Sequence, residues 1–172
     1  QAGNDRILEA MKRKYTCNDF EKLCDFLISQ IPDIHISTDV ICGFPGETDE
    51  EFDDTIKLVE KYKFITLNIS QFYPRSGTPA ARMKQVNSFS KKERSKKISE
   101  LFASYSPYEK YMGQTFNILV TDISAKNNYY VGHNKYYHQI LVPKNDKYMG
   151  KIIKVKIIDY GKFFMIGEEI ND

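Results

Sequence analysis

One stretch, Ser37-Thr38-Asp39-Val40-Ile41-Cys42-Gly43-Phe44-Pro45-Gly46-Glu47-Thr48, limits the folds open to this chain more than any other. Val40, Ile41 and Cys42 are apolar, and two of them are β-branched, which suits a buried strand. Gly43, Pro45 and Gly46 break that strand sharply and let backbone come close to a neighbour or ligand. Thr48 followed by Glu51 is a capping box, so a helix opens there. A strand that ends in a glycine-rich turn into a helix builds sites in α/β proteins, because ligands gather beyond the carboxyl ends of parallel strands. The turn is not a P-loop, since no Lys-Ser/Thr follows its second glycine, and it does not carry the G-x-G-x-x-G spacing of dinucleotide sites.

The flanking sequence extends this unit in both directions. Asn4 or Asp5 can cap a helix with Ile7, Leu8 and Met11 on its apolar side. The run Lys12-Arg13-Lys14 reads either as a solvated end that complements the helix dipole or as an anion site. Asn18-Asp19-Phe20-Glu21 predicts a second cap, and the helix after it repeats Phe20, Leu23, Cys24, Leu27, Ile28 and Ile31 on a face expected to be buried. Pro32-Asp33 should stop it. A strand over residues 34–42 follows, then a helix over 49–62 burying Phe52, Thr55, Ile56 and Val59. A strand over 64–73 comes next, with Leu67, Ile69 and Gln71 on one side. With a strand before Gln1 the order becomes β-α-β-α-β, which implies a parallel sheet. Two strands do not complete a sheet that must be buried on both faces. The first half is therefore expected to be the last strands of a (β/α) barrel or open sheet.

Pro74-Arg75-Ser76-Gly77-Thr78-Pro79 is a loop at the carboxyl end of that strand. Arg75 in it is either an anion-binding residue or a plain surface arginine. Ser90-Lys91-Lys92-Glu93 predicts a third capped helix, with five cations among the seven residues 91–97 and Ile98, Leu101, Phe102 and Tyr105 on its apolar side. The basic run is solubilising surface or an electrostatic footprint for nucleic acid. In the second reading Lys91, Lys92 and Arg94 contact RNA.

Pro107 marks a change of grammar. Short strands are expected over residues 115–122, 129–133, 139–143, 151–159 and 162–168, separated by Asn127-Asn128, Asn145-Asp146 and Tyr160-Gly161. Five such strands point to a small, closed all-β barrel of the OB type. Gly113 and Gly150 stand where barrel corners are made. Barrels of this kind hold single-stranded or loop nucleic acid by stacking bases on aromatics beside basic groups. Tyr129, Tyr130, His133, Lys135, Tyr136, Tyr137 and His138, with Lys144, supply those types, and alternate members are expected in the core.

Composition matters at two points. The 172 residues allow one domain or two small ones, and a net charge of +2 argues neither for nor against nucleic acid. Three cysteines, Cys17, Cys24 and Cys42, have no zinc or iron–sulfur spacing and read as buried or inert thiols of a reducing compartment. No apolar run approaches the ~20 residues of a membrane span. The chain opens on Gln rather than Met and reads as a fragment.

Both halves resemble one family. The string from Ser37 to Thr48 is similar to the late-barrel motif of radical S-adenosylmethionine (SAM) tRNA methylthiotransferases. Gln1-Ala2-Gly3-Asn4 looks like the family's Gln-Ser-Gly-Ser turn, with Ala2 and Asn4 in place of its serines. Met11-Lys12-Arg13-Lys14-Tyr15-Thr16 looks like its Met-x-Arg-x-Tyr-Thr segment, and Gly77-Thr78-Pro79-Ala80-Ala81 matches its Gly-Thr-Pro-Ala-Ala signature. Phe72-Tyr73-Pro74-Arg75, Tyr105-Ser106-Pro107-Tyr108 and Leu141-Val142-Pro143-Lys144-Asn145 look most like the eukaryotic branch, which acts on threonylcarbamoyladenosine beside the anticodon. The resemblance covers nearly the whole chain.

It implies an α/β part of a radical SAM barrel with its last strands and trailing basic helix over residues 1–106, then a TRAM domain, an OB-like RNA-binding barrel, over 107–172. The implied activity is that of a transferase that methylthiolates C2 of N6-threonylcarbamoyladenosine in tRNA. S-adenosylmethionine and two [4Fe-4S] clusters are the implied cofactors. The cluster-binding Cys-x-x-x-Cys-x-x-Cys motif is not in this chain, so no ligand is carried over to Cys17, Cys24 or Cys42, and the chain by itself is expected to be inactive. Asp39, Ile41 and Gly43 align with the Gly-x-Ile-x-Gly strand that packs on adenine, Asp39 standing at its first glycine. Gln1 and Ser37 are then candidates for ribose hydroxyls and Arg13 for the methionyl carboxylate. Phe72 and Tyr73 are candidates for the adenine or the target base. The implied partner is the anticodon arm of tRNA, with electron and sulfur donors from elsewhere. The enzyme is expected to be a cytoplasmic monomer, with a carboxyl-terminal anchor to the endoplasmic reticulum in some eukaryotic members. A non-catalytic RNA-binding module, and a related enzyme with another base or a ribosomal protein as target, are the alternatives.

Overall fold

The computed structural model describes residues 1–31, 33–125 and 128–170. Pro32 and Asn127, at two of the expected chain breaks, lie outside the described residues. The chain divides into two compact units, the first Gln1–Tyr105 and the second beginning at Ser106.

The first unit opens with α1 (Asp5–Ala10), capped by Asn4, whose side chain accepts from the Arg6 N–H. α2 (Cys17–Gln30) starts earlier than the sequence suggested. Thr16, not Asn18, is its cap, and Thr16 and Asp19 close the capping box from both sides. β1 (Ser37–Cys42), α3 (Asp49–Tyr62) and β2 (Thr66–Gln71) follow. Thr48 and Glu51 form the expected capping box of α3. A short α4 (Pro79–Arg82) uses Pro79 in its first turn, where a missing N–H costs nothing. α5 (Ser88–Ser104) is capped by Asn87, not Ser90; the Ser90 N–H instead donates to the Asn87 side chain.

β1 and β2 pair in parallel, with Asp39 opposite Asn68 and Ile41 opposite Ser70. Strand alternation then sorts the residues by face. Val40, Cys42 and Leu67 turn into a core with Phe52, Ile56 and Val59 of α3 and Ile98 and Phe102 of α5. Ser37, Asp39 and Ile41 turn the other way and are exposed or half-buried. A second, smaller core of Ala2, Ile7, Leu8 and Phe44 holds α1 beneath the ends of the strands. Gly3 is squeezed against α3, where an added Cβ would lie 2.6 Å from the Thr55 Cα.

The apolar repeat of α2 is a correction to the expected core. Only Cys24 is buried on that helix, whereas Leu23 and Phe26 are more than half exposed and Ile28 and Ile31 lie well open. Amphipathic spacing fixes the face a helix would bury, but burial needs a neighbour, and the sheet of the described residues has two strands.

The second unit is a closed barrel. A 3-10 turn (Glu109–Tyr111) precedes β3 (Thr115–Ile123), β4 (Tyr129–His133), β5 (Gln139–Pro143), β6 (Ile152–Tyr160) and β7 (Met165–Glu169). The ring runs β3-β4-β5-β7-β6 and returns to β3. All pairs are antiparallel except β5 with β7. Ile118, Val120, Ile140, Val142, Val155, Ile157 and Met165 fill it, with Tyr108, Tyr111 and His138 fully buried at one end. Gly113 and Gly150 take positive φ angles at the two strand entrances.

Candidate functional site

Alternation on β1 and the turn after it shape a cleft in the first unit. Asp39, Val40 and Ile41 of β1, Ser70 and Gln71 of β2, and Phe72, Tyr73, Arg75, Thr78 and Ala80 of the following loop line it, together with Gln1 and Arg13. Its volume is about 710 Å³, within the usual range for small-molecule sites. The floor is firm. Phe44 and Phe72 meet edge to face at 5.2 Å, and the Phe72 N–H donates to the Cys42 carbonyl at 2.9 Å, which extends the strand pairing into the loop. The Ile41 N–H donates to the Gln1 carbonyl at 3.0 Å, so Gln1 is held along the other side of β1.

The donors around the cleft are varied. Asp39 contributes a carboxylate, whose Oδ1 accepts from Asn68 Nδ2 at 2.8 Å and is thereby oriented across the sheet. Arg13 contributes a guanidinium, Ile41 an aliphatic patch, and Phe72 and Tyr73 rings; Tyr73 is 80% exposed. A cation, an anion, an apolar patch and aromatic faces around one space suit a zwitterionic amino acid joined to a nucleoside, and so fit S-adenosylmethionine by donor chemistry and size. Six of the eight residues singled out for the cofactor, Gln1, Arg13, Asp39, Ile41, Phe72 and Tyr73, are brought together here, and Arg75 joins them.

Two others stand apart. Ser37 is exposed at the start of β1. Gly43 is buried beyond the cleft lining, and an added Cβ would lie 2.3 Å from Lys91 Cγ. Lys91 lies across it with Nζ donating to the Phe72 carbonyl at 3.3 Å. Glycine is demanded twice at this point, by the packing and by a φ of +77°.

Arg94 needs correction as an RNA contact. It is 7% exposed. Nη1 donates to Glu47 Oε2 at 2.8 Å, and Nη2 donates to Asp49 Oδ1 at 2.8 Å and to the Glu47 carbonyl at 3.2 Å. Glu47 also accepts from the Gly43 N–H at 2.7 Å. Arg94 therefore anchors the glycine turn to α5. Its position four residues before Ile98 and eight before Phe102, both buried, is the sequence signal that could have marked it as inward. Lys92, by contrast, is exposed, as is Arg75.

Burial pushes the Cys17 and Cys42 thiols up to about 12, with Asp5 and Glu47 as nearby charges in support. Both are held as thiols at neutral pH. Among the described residues no three His, Cys, Asp or Glu side chains converge to hold a metal ion, so no step through an iron–sulfur centre is derived from this chain.

In the barrel, Tyr130 also needs correction. It is 4% exposed and its hydroxyl donates to Asp146 Oδ1 at 2.7 Å, so it closes the barrel wall rather than meeting a base. His138 is core, as alternation allowed. Tyr129 and His133 are half-buried, and Lys135 and Lys144 are exposed. Lys144 Nζ lies 5.9 Å over the Tyr130 ring and Lys135 Nζ 4.9 Å over Tyr136. Tyr137 is 73% exposed and stacks on His133 at 4.6 Å with planes 16° apart. Sequence reasoning missed the outward side chains of β3 and β6, which lie far apart in the chain and meet only through register: Leu119 pairs with Ile152, and Thr115 with Lys156.

Comparison with known proteins bears on both units. Residues 1–59 match the Radical SAM superfamily and residues 109–169 match the TRAM domain. Over all 172 residues the chain is 53% identical to the threonylcarbamoyladenosine tRNA methylthiotransferase of Xenopus laevis and 51% identical to that of Homo sapiens, covering 31% and 30% of those proteins. It is 36% identical over 173 aligned positions to a tRNA-2-methylthio-N(6)-dimethylallyladenosine synthase of Caldicellulosiruptor saccharolyticus, covering 99% of this chain and 37% of that protein. The chain thus spans about a third of the length of the curated relatives it matches.

Proposed function

Because this chain belongs to the radical SAM tRNA methylthiotransferase family, we propose that it serves a tRNA-modifying enzyme, its first unit as a wall of the S-adenosylmethionine site and its second as the barrel that holds RNA. The proposed reaction is methylthiolation at C2 of N6-threonylcarbamoyladenosine next to the anticodon. The observation that carries this reading is the cleft, where Arg13, Asp39, Ile41, Phe72 and Tyr73 surround a space of about 710 Å³.

The roles follow from side-chain chemistry. Arg13 offers a planar fork to the methionyl carboxylate. Asp39, oriented by Asn68, accepts from a hydroxyl or amine, with Gln1 of the cleft lining as a further hydroxyl partner. Ile41 gives the purine an apolar contact, and Gly43 keeps the turn beyond it narrow. Phe72 and Tyr73 shield the purine or the target base from water. S-adenosylmethionine, when bound in the complete enzyme, would supply the radical that takes hydrogen from C2 of the adenine. The iron–sulfur ligands, the electron donor and the sulfur source are contributed from outside these residues. Residues 1–106 act as the barrel portion and 107–172 as the TRAM portion. Arg75 and Lys92 of the first unit and Lys135 and Lys144 of the second, all exposed, add positive charge for an anticodon arm, whereas Lys91 is engaged on the Phe72 carbonyl.

The test is cofactor affinity in the intact enzyme by equilibrium dialysis. Arg13→Ala and Asp39→Ala are each expected to weaken S-adenosylmethionine binding about tenfold or more, as loss of a charge-assisted hydrogen bond requires. Wild-type affinity in both variants overturns the assignment.

The barrel closes on its own strands, and that observation favours a second reading in which it binds RNA without any catalytic partner. Stem–loop binding with no methylthio transfer by the complete gene product would select it.

A further inference from the structure

We infer that the outer face of the barrel at β6, β3 and β4 is a base-stacking platform for single-stranded RNA, with the Tyr137–His133 stack as the seat of one unpaired base. This rests on the RNA-holding role proposed above and adds where, and by what contact, the RNA is held.

Tyr137 has a φ of +66°. Lys63, the capping residue of α3, and Lys12, just past α1, share the sign of φ, but helix ends often adopt it. A bulky aromatic in this region is costly and persists only where its surroundings over-determine it. They do so here. The side chain of Asn134, 6% exposed, accepts through Oδ1 from the N–H of Tyr136 at 3.0 Å and of His138 at 2.9 Å. The Tyr137 N–H donates to the Asn134 carbonyl at 2.9 Å. His138, fully buried, ties the turn into the core. Glycine would occupy such a turn without strain. The turn instead fixes an aromatic ring that is 73% exposed, parallel to His133.

The stack continues across the sheet. His133 pairs with Leu119, and Leu119 pairs with Ile152. Directly paired residues share a face, and this face is outward: Leu119 is 44% and Ile152 72% exposed. An apolar strip therefore runs over three strands and ends in the aromatic pair. The next outward positions along β6 are Lys154 and Lys156, opposite Asn117 and Thr115; Lys151 precedes the strand. Glu168 of β7 pairs with Lys156 and is the facing carboxylate. Flat apolar and aromatic surface beside a column of lysines matches a strand of nucleic acid, with bases on the first and phosphates along the second.

The test uses the 172-residue chain and a labelled anticodon stem–loop RNA with a fluorescent adenine analogue in the loop, beside a fully paired hairpin of equal length. The wild type is expected to prefer the loop, to quench the analogue and to lose affinity steeply with salt. Tyr137→Phe should match it. Tyr137→Gly should unfold at the same or a higher temperature yet lose the quench and about tenfold in affinity. Leu119→Ser, at an outward position, gives an independent reading and should weaken binding several-fold. Lys156→Gln should keep the quench and lower the salt slope by about one. If the wild type binds and quenches but Tyr137→Gly and Leu119→Ser do the same, the platform is wrong and the RNA-holding role stands. Equal binding of the paired hairpin without quenching also overturns the platform. No binding of either RNA by the wild type removes the RNA-holding role and the platform with it.

Discussion

The Arg94–Glu47 pair shows how a single side chain can be misread from its neighbours. Arg94 sits in a run of five cations, yet it is buried against the glycine turn. Removing one partner of a buried pair leaves the other charged and desolvated. Arg94→Ala is expected to cost about 3–5 kcal/mol at neutral pH, read by urea denaturation. The pH dependence has a definite sign. Burial already pushes the Glu47 carboxyl up from its usual value of 4.5, while the Gly43 N–H and Arg94 oppose that rise. Without Arg94 the folded-state value rises further above the unfolded one. A raised folded-state value favours folding while the proton is bound and loses that contribution as pH rises. The deficit of Arg94→Ala should therefore be largest near neutrality and narrow on acidification toward the unfolded carboxyl value. A deficit independent of pH would show that Glu47 is not the group left stranded. Gly3 gives a second expectation. Backbone, not a flexible side chain, occupies the space of its missing Cβ, so Gly3→Ala should lose about 1–3 kcal/mol in the same assay.

At the scale of elements, the start of α3 and the barrel strands were legible in the sequence because each is written in a few adjacent residues. Thr48 with Glu51 announced α3, and Thr48→Ala should cost about 1 kcal/mol of stability in a thermal or urea melt. The starts of α2 and α5 were misplaced because several polar residues in a row can each serve as cap. Thr16 and Asn87 won through hydrogen bonds that spacing alone does not rank. The apolar face of α2 was legible as a face but not as an exposed one. Leu23→Gln there is expected to change stability by less than about 0.5 kcal/mol, since that side chain is more than half exposed; a larger loss would mean that the face is covered in solution. Alternation on β1 made Asp39 and Ile41 legible as one face, whereas Gln1, Arg13, Phe72 and Tyr73 were reached only through the family resemblance, since they join that face from distant parts of the chain. The barrel face was not, because Ile152, Leu119 and His133 become neighbours only when register is known.

Across the whole molecule, the change at Pro107 from helix and parallel strand to short antiparallel strands separates two kinds of architecture. The first unit carries a two-stranded parallel sheet, an arrangement that parallel sheets elsewhere extend on both sides. The second pairs each of its strands on both edges. A polypeptide beginning at Ser106 is therefore expected to fold alone, with a single cooperative melt and well-dispersed amide resonances. A broad melt with dye-binding apolar surface would show that ring closure is not sufficient.

The strand that completes the ring is the last of its five to be made. β7 enters between β5 and β6, pairing in parallel with one and antiparallel with the other. During synthesis β3, β4, β5 and β6 emerge first, and β5 and β6 each leave the ribosome with a bare edge. The order in which the strands are made is thus not the order in which the ring can shut. For as long as residues 165–169 remain in the exit tunnel, the nascent barrel is an open sheet that can recruit another chain.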